Sequence, residues 1–195
     1  MTDPELTHAL ASSRRLGMLG IRPIDEVIDH AGAFVEALAS VRGTVVDLGS
    51  GGGVPGLVVA RARPDLHLIL VERRATRADH LRRLVRRLEL GERVDVHDGD
   101  VATLAPVELV DAVVARGFAA PAVTAVAGAR LLRVGGVLVV SEPPAENSSD
   151  SGDVRWPPEL LHDAGLAVVA QADARVICLC RTSAAGATTG PGRND

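Results

Sequence analysis

The stretch Val45-Val46-Asp47-Leu48-Gly49-Ser50-Gly51-Gly52-Gly53-Val54-Pro55-Gly56 has the make-up of a ligand-binding turn. An apolar run ends in an acid and breaks into glycines, which let a backbone turn sharply and approach a ligand where a Cβ would clash. Gly51, Gly53 and Gly56 also satisfy the GxGxxG spacing of dinucleotide sites, so the glycines alone do not name the ligand. Two neighbours narrow the choice. Asp47 would repel a pyrophosphate but not the sulfonium and ammonium groups of S-adenosylmethionine. Pro55 removes a backbone N–H near the start of the next helix and so weakens a cradle for phosphate. Both favour a ligand without phosphate, against the plain alternative of a tight turn that binds nothing.

Further candidates recur downstream. Glu72 follows the apolar segment 66–71, where an acid can accept hydrogen bonds from both ribose hydroxyls or simply pair with nearby arginines. Gly99-Asp100-Val101 offers a carboxylate and a backbone amide to an adenine edge, although Gly-Asp is also common in ordinary turns. Arg116 leaves the apolar segment 111–115 and can clamp a carboxylate or phosphate bidentately, or pair with a neighbouring acid. Arg73, Arg74, Arg77, Arg82, Arg83, Arg86 and Arg87 crowd one segment. They read either as an RNA-phosphate contact, led by Arg73 and Arg77, or as the solvated face of an amphipathic helix. His30, Asp29 and Glu142 are possible bases, with Glu142 also a substrate contact; none is assigned catalysis. Cys178 and Cys180, two apart in an apolar run, suit neither a zinc site nor a disulfide framework, and no metal site is expected.

Regular elements must position these residues. Ile24, Val27, Ile28, Ala31, Phe34, Val35 and Leu38 repeat at helical period behind Pro23, so the first forty residues read as helices. Strands are predicted at 44–48, 66–71, 94–97, 111–115 and 136–140, nearly continuous in apolar residues as parallel strands covered on both faces should be. Helices are predicted at 55–63, 75–90 and 121–132, and segments 166–170 and 175–180 read as a closing antiparallel pair. The sum is a doubly wound, Rossmann-like α/β sheet, mostly parallel with an antiparallel closing strand, behind N-terminal helices. It is read as one domain over 1–181, with helices at 1–42, the core at 43–181 and a disordered tail at 182–195. Residues 142–155, rich in Pro, Ser and Asp, read as a mobile loop.

Composition excludes several chemistries. All 21 basic residues are arginine, so neither a Walker A lysine nor a Schiff-base lysine is available. Aromatics are 2%, so Ala, Val and Leu must fill the core, and a splayed single strand would find few stacking platforms. A net charge of −4 argues against sequence-independent nucleic-acid binding, although the basic residues cluster. No membrane span or secretion signal is read, which implies a cytoplasmic protein.

Taken together, DLGSGGGVPGL, the arginine-rich RRATRADHLRRLVRRLEL and Ala115-Arg116-Gly117-Phe118-Ala119 resemble the bacterial small-subunit rRNA guanine-N7 methyltransferases, the glucose-inhibited division protein B family. The resemblance runs from about residue 43 to 140. It implies S-adenosylmethionine as cofactor, contacts to it at Gly49, Val54, Val101, Ala102 and Arg116, and rRNA or the small ribosomal subunit as partner. Three stretches depart from the family pattern: the N-terminal MTDPELTHALASSRRLGMLG, Ala102 in place of a glutamate, and Ser141-Glu142-Pro143-Pro144 in place of a lysine. A small-molecule methyltransferase and a non-catalytic S-adenosylmethionine-binding protein are the alternatives, and a nicotinamide dehydrogenase is the most distant. Oligomeric state is not legible.

Overall fold

The computed structural model describes residues 3–104, 108–143, 154–173 and 175–182. Two helices, α1 (Pro4–Arg15) and α2 (Ile24–Ala37), precede an alternation of strands and helices. The order is β1 (Gly43–Leu48), α3 (Gly56–Ala62), β2 (Leu66–Glu72), α4 (Ala75–Arg87), β3 (Val94–Asp98), a 3₁₀ turn at Val101–Thr103, β4 (Val110–Ala115), α5 (Pro121–Leu131) and β5 (Leu132–Ser141). The chain then forms α6 (Pro158–Asp163) and a hairpin of β6 (Leu166–Asp173) and β7 (Val176–Arg181). The strands make one sheet in the order β3-β2-β1-β4-β5-β7-β6. Strands β1 to β5 run parallel, and β7 lies antiparallel between β5 and β6. The fold is Rossmann-like, as the sequence indicates, but its reversed strand is interior and β6 forms the edge.

Alternation along the strands divides the core in two. Val45, Leu68, Leu70, Ala112 and Val114 face a layer built with α1 to α4, which also holds Phe34, Leu57 and Leu81. Val46, Leu48, Val113, Ala115 and Leu138 face the other layer, with Ala125, Leu131, Leu161 and Trp156. Each fully buried leucine or valine contributes roughly 1.5–3 kcal/mol, so many small side chains substitute for the missing aromatics. Small volumes also let the layers approach. A Cβ added to Gly128 in α5 would lie 2.8 Å from Leu138 on β5.

The helical stripe read on α2 is the buried one: Ile24, Val27, Ala31, Phe34 and Leu38 are enclosed, while Ile28 and Val35 pack at its margin. Predicted boundaries shift by a few residues, with one informative exception. Strand β5 starts at Leu132 rather than 136, because its pairing with β4 jumps from Val110–Leu132 to Ala112–Val137. Residues 133–136 bulge outward, anchored by Arg133 Nε donating to Asp111 Oδ1 at 2.8 Å. Helix α6 was not anticipated; a single short turn behind two prolines carries too little periodicity to read. The loop expected over 142–155 and the tail expected beyond 182 lie largely outside the described residues.

Helix α1 begins with Asp3 accepting from the Leu6 amide at 3.0 Å and Pro4 in the first turn. Asp3 also accepts from Arg61 Nε at 2.6 Å, which ties α1 to α3. A second tie is buried: Ser13 Oγ and His80 Nε2 lie 2.9 Å apart between α1 and α4. Burial, aided by the charge of Arg83, holds the His80 imidazole below its ordinary pKa. The unfolded chain therefore takes up this proton first, and stability present above about pH 6.5 is lost as pH falls below it. Thermal melts at about pH 7.5 and about pH 5.5 are expected to show a larger fall for the wild type than for a Ser13→Ala, His80→Leu double variant. Equal falls would mean that His80 takes up its proton as readily in the folded protein as in the unfolded chain.

Candidate functional site

The strand order reverses between β1 and β4, and the carboxyl ends of parallel strands beside such a reversal form a crevice. Strand β1 delivers Asp47 there, between Leu70 of β2 and Val114 of β4. Its side chain is fully enclosed. Oδ2 accepts from the Gly56 amide, the first residue of α3, at 3.1 Å. Oδ1 is buried and has no hydrogen-bond partner among the described residues. Burial pushes the carboxyl up to about 6, against the Ser50 hydroxyl, the Gly56 amide and the charge of Arg116, with Glu72 adding to the rise. A carboxylate held in this way is short of one donor or one positive charge.

The glycine turn is strapped to β2. Ser50 N donates to Val71 O at 2.9 Å, Ser50 Oγ to Asp47 O at 3.0 Å, and Gly51 N to Glu72 Oε2 at 3.1 Å. Glu72 Oε1 accepts from Arg74 N at 2.9 Å. Glu72 is therefore the buried clasp of the turn, and each of its oxygens keeps a further lone pair for a ligand hydroxyl. Gly51 has φ +52°, a left-handed conformation that a side chain would strain. Gly56 is needed for space instead, since a Cβ there would sit 2.5 Å from Asp47 Oδ2. Gly49 and Gly53 complete the turn, and Val54 is buried beneath it.

The turn after β3 comes alongside, with Gly99 N donating to Glu72 O at 3.1 Å. Here the structure refines the reading of Asp100, Val101 and Ala102. Asp100 Oδ1 accepts from the Ala102 amide at 2.8 Å, so that amide is already satisfied inside its own turn. Arg130 of α5 donates to Val101 O and to Leu104 O, fixing the turn from behind. Arg116 is half-buried at the end of β4; burial holds its guanidinium below the ordinary value, the Asp47 charge opposes this and Arg22 adds to it.

Two lids escape a reading by motif. The Phe118 ring lies over Gly49, where an added Cβ would be 3.0 Å from Cδ2. Leu19 and the Met18 carbonyl cover Gly52 in the same way, so the segment after α1 roofs the glycine turn. Only the position of Phe118, two residues after Arg116, hinted at the first.

Beside Arg116 opens a cleft of about 270 Å³, walled by Arg22, Glu26 and His30 on one side and by Arg116, Ser141 and Glu142 on the other. Glu142 is engaged there: its Oε1 accepts from Trp156 Nε1 at 2.8 Å and faces Arg155 Nε at 3.5 Å. Arg73 and Arg77 stand by the end of β2, exposed and half-buried respectively. On α4, Leu81, Leu84, Val85 and Leu88 are buried as the sequence indicates. Arg82 pairs with Asp79 and Asp98, whereas Arg83, Arg86 and Arg87 are exposed without a carboxylate partner among the described residues.

A sequence profile of the family described as rRNA small subunit methyltransferase G matches residues 10–145. The chain belongs to this family. Among curated relatives, the ribosomal RNA small subunit methyltransferase G of Rubrobacter xylanophilus is 35% identical over 141 residues, 68% of this chain and 54% of that protein. The chain thus spans about half the length of the curated relatives it matches. Two solved structures share the fold. Cofactor-bound Rv0187 from MTB has TM-score 0.69 and 22% identity, covering 93% of this chain and 92% of that one. The O-methyltransferase TomG from Streptomyces achromogenes, solved in complex with SAM, has TM-score 0.64 and 21% identity, covering 94% and 92%. The span shared with the methyltransferase G family includes every candidate residue from Asp47 to Glu142.

Asp47 makes the crevice electrostatically costly when empty of a cation. A group whose folded pKa is raised contributes stability below its unfolded pKa and loses it as pH rises through the folded value. Between about pH 4 and about pH 6, Asp47 is expected to lower the stability of the free protein by a cost on the order of 3 kcal/mol. Asp47→Asn should lack this decline, as read from urea unfolding across that range. Gly56→Ala is expected to destabilise by about 1–3 kcal/mol through overpacking against Asp47, measured the same way.

Proposed function

We propose that this chain is an S-adenosylmethionine-dependent methyltransferase that acts on N7 of a guanine in small-subunit rRNA. One observation carries the reading: under the glycine turn, in a chain of the methyltransferase G family, Asp47 Oδ1 is buried with no hydrogen-bond partner among the described residues. Bound cofactor supplies an electrophilic methyl group. Its ammonium would pair with Asp47 Oδ1, and its ribose hydroxyls with the remaining lone pairs of Glu72. Arg116 would take the methionine carboxylate, with Gly49, Gly51, Gly53 and Val54 shaping the floor. Asp100 and Val101 would border the adenine, while Ala102 serves the turn rather than the ligand.

Guanine N7 carries a lone pair and needs no general base, so the protein's task is to hold N7 in line with the methyl group and exclude water. The absence of a buried acid–base pair in the crevice among the described residues is compatible with that chemistry. The glycine turn is roofed by Leu19 and Phe118, both apolar, which suits water exclusion. Arg73, Arg77, Arg83, Arg86 and Arg87 would meet rRNA phosphates, giving a local basic face to a chain of net charge −4. An rRNA acceptor would place the protein in the cytoplasm. No helix among the described residues is long and apolar enough to cross a membrane.

Transfer of labelled methyl from S-adenosylmethionine to unmethylated small ribosomal subunits tests the reading. Incorporation at one mapped guanine is the expected result. With cofactor binding verified in the same preparation, no incorporation would overturn the rRNA assignment and favour a small-molecule acceptor. A double variant, Arg86→Glu and Arg87→Glu, is expected to lower kcat/KM on subunits by about tenfold or more and to flatten its salt dependence, with cofactor affinity retained. Loss of cofactor affinity would instead show that these arginines support the crevice.

A further inference from the structure

Two carboxylates line the cleft between α2 and the ends of β4 and β5, and they differ in what they already hold. Glu142 is committed to Trp156 and Arg155. Glu26, in the first turn of α2, is exposed and has neither a hydrogen bond nor an ion pair from its side chain among the described residues. A first-turn acid is favourable to the helix dipole, but that alone does not place it in a cavity. Opposite Glu26 stands Arg116, half-buried, while Arg22, exposed, shares the wall of Glu26; neither makes an ion pair among the described residues. The cleft therefore presents the two acceptor oxygens of Glu26 with Arg22 beside them and Arg116 across from them, at the end of β4.

We propose that this cleft reads the acceptor base and that Glu26 is the specificity residue, accepting from N1–H and the N2 amino group of a guanine. This rests on the methyltransferase reading above and adds the residue that selects the base. Guanine alone among the common bases presents two adjacent donors on its Watson–Crick edge, which matches the two oxygens of one carboxylate. Adenine would turn the lone pair of its N1 toward the same carboxylate and be repelled. The guanine O6 is an acceptor suited to an arginine, which Arg22 supplies. A base gripped by its N1 and N2 edge leaves N7, on the imidazole ring, free for reaction. Glu142, by holding Trp156, sets the far wall and does not touch the base.

The test uses the full chain loaded with S-adenosylhomocysteine and three probes: guanosine, inosine and adenosine 5′-monophosphates. Binding is followed by amide chemical shifts at millimolar nucleotide. Guanosine monophosphate is expected to bind about tenfold more tightly than the other two, inosine monophosphate lacking only the N2 amino group. Shifts should centre on the first turn of α2 and on Arg116 and Gly117. Glu26→Ala should abolish the preference, and Glu26→Gln, which presents one acceptor in place of two, should reduce it. Fold retention is read from circular dichroism; both substitutions are on an exposed helix position. Equal binding of the three probes, shifts elsewhere, no binding at all, or a preference that survives in Glu26→Ala would overturn the proposal. Methyl transfer by the wild type is read separately. Transfer to subunits without a Glu26-dependent preference sinks only this assignment, whereas the preference without transfer sinks the enzymatic reading and leaves the cleft.

Discussion

The structure is arranged around one unfavourable burial. Asp47 is a carboxylate enclosed at the end of a central parallel strand, with one oxygen on the Gly56 amide and the other without a partner among the described residues. Leaving a buried acceptor unmet costs about 1–3 kcal/mol, and more when it is charged. The surrounding elements keep that cost in place. Strands β2 and β4 flank it through the parallel ladder, α3 must begin with a residue lacking a Cβ, and Glu72 clasps the turn that covers it. A fold that needed only stability would replace Asp47 with an apolar residue. A carboxylate in that place fits a site that receives a positive group.

The clasp and the lids follow from the same constraint. Because Glu72 holds Gly51 and Arg74 by their backbone amides, the turn after β1 and the turn after β2 are set as one unit. The Gly99 amide adds the turn after β3 to it. Three successive strand ends are thereby fixed relative to one another before any ligand arrives, which reduces the ordering cost of binding. Helices α1 and α4, joined by the Ser13–His80 bond, carry the roof over the glycines and the arginines beside them. Changes at the buried tie should thus be felt at the crevice mouth.

Much of this was legible in the sequence, for physical reasons. Parallel strands buried on both faces leave continuous apolar runs, and β1, β2 and β4 stand where those runs are. The glycine turn advertises itself because no other residue tolerates such crowding; Gly56 against Asp47 is the case in point. What escaped depends on distance in sequence. The sequence gives no sign that Leu19 would cover Gly52, that Trp156 would claim Glu142, or that α2 would bring Glu26 opposite Arg116. Local patterning also misjudged β5, whose bulge at 133–136 is set by Arg133 reaching Asp111. The contact expected at Ala102 rests on the family resemblance alone; that the Ala102 amide donates to Asp100 is a pairing that a Gly-Asp turn permits but does not require.

The central claim is that Asp47 is held buried to receive the cationic part of S-adenosylmethionine. Calorimetric titration of the full chain with S-adenosylmethionine, from about pH 8 down to about pH 5, tests it most directly. Because the free carboxyl protonates at about 6, affinity is expected to be constant at the alkaline end and to weaken progressively as the pH falls through that value. Proton release on binding should appear in the same interval, and Asp47→Asn should bind weakly with no such pH dependence. An affinity independent of pH across the range, or full affinity in Asp47→Asn, would contradict the account and move the cationic group away from Asp47.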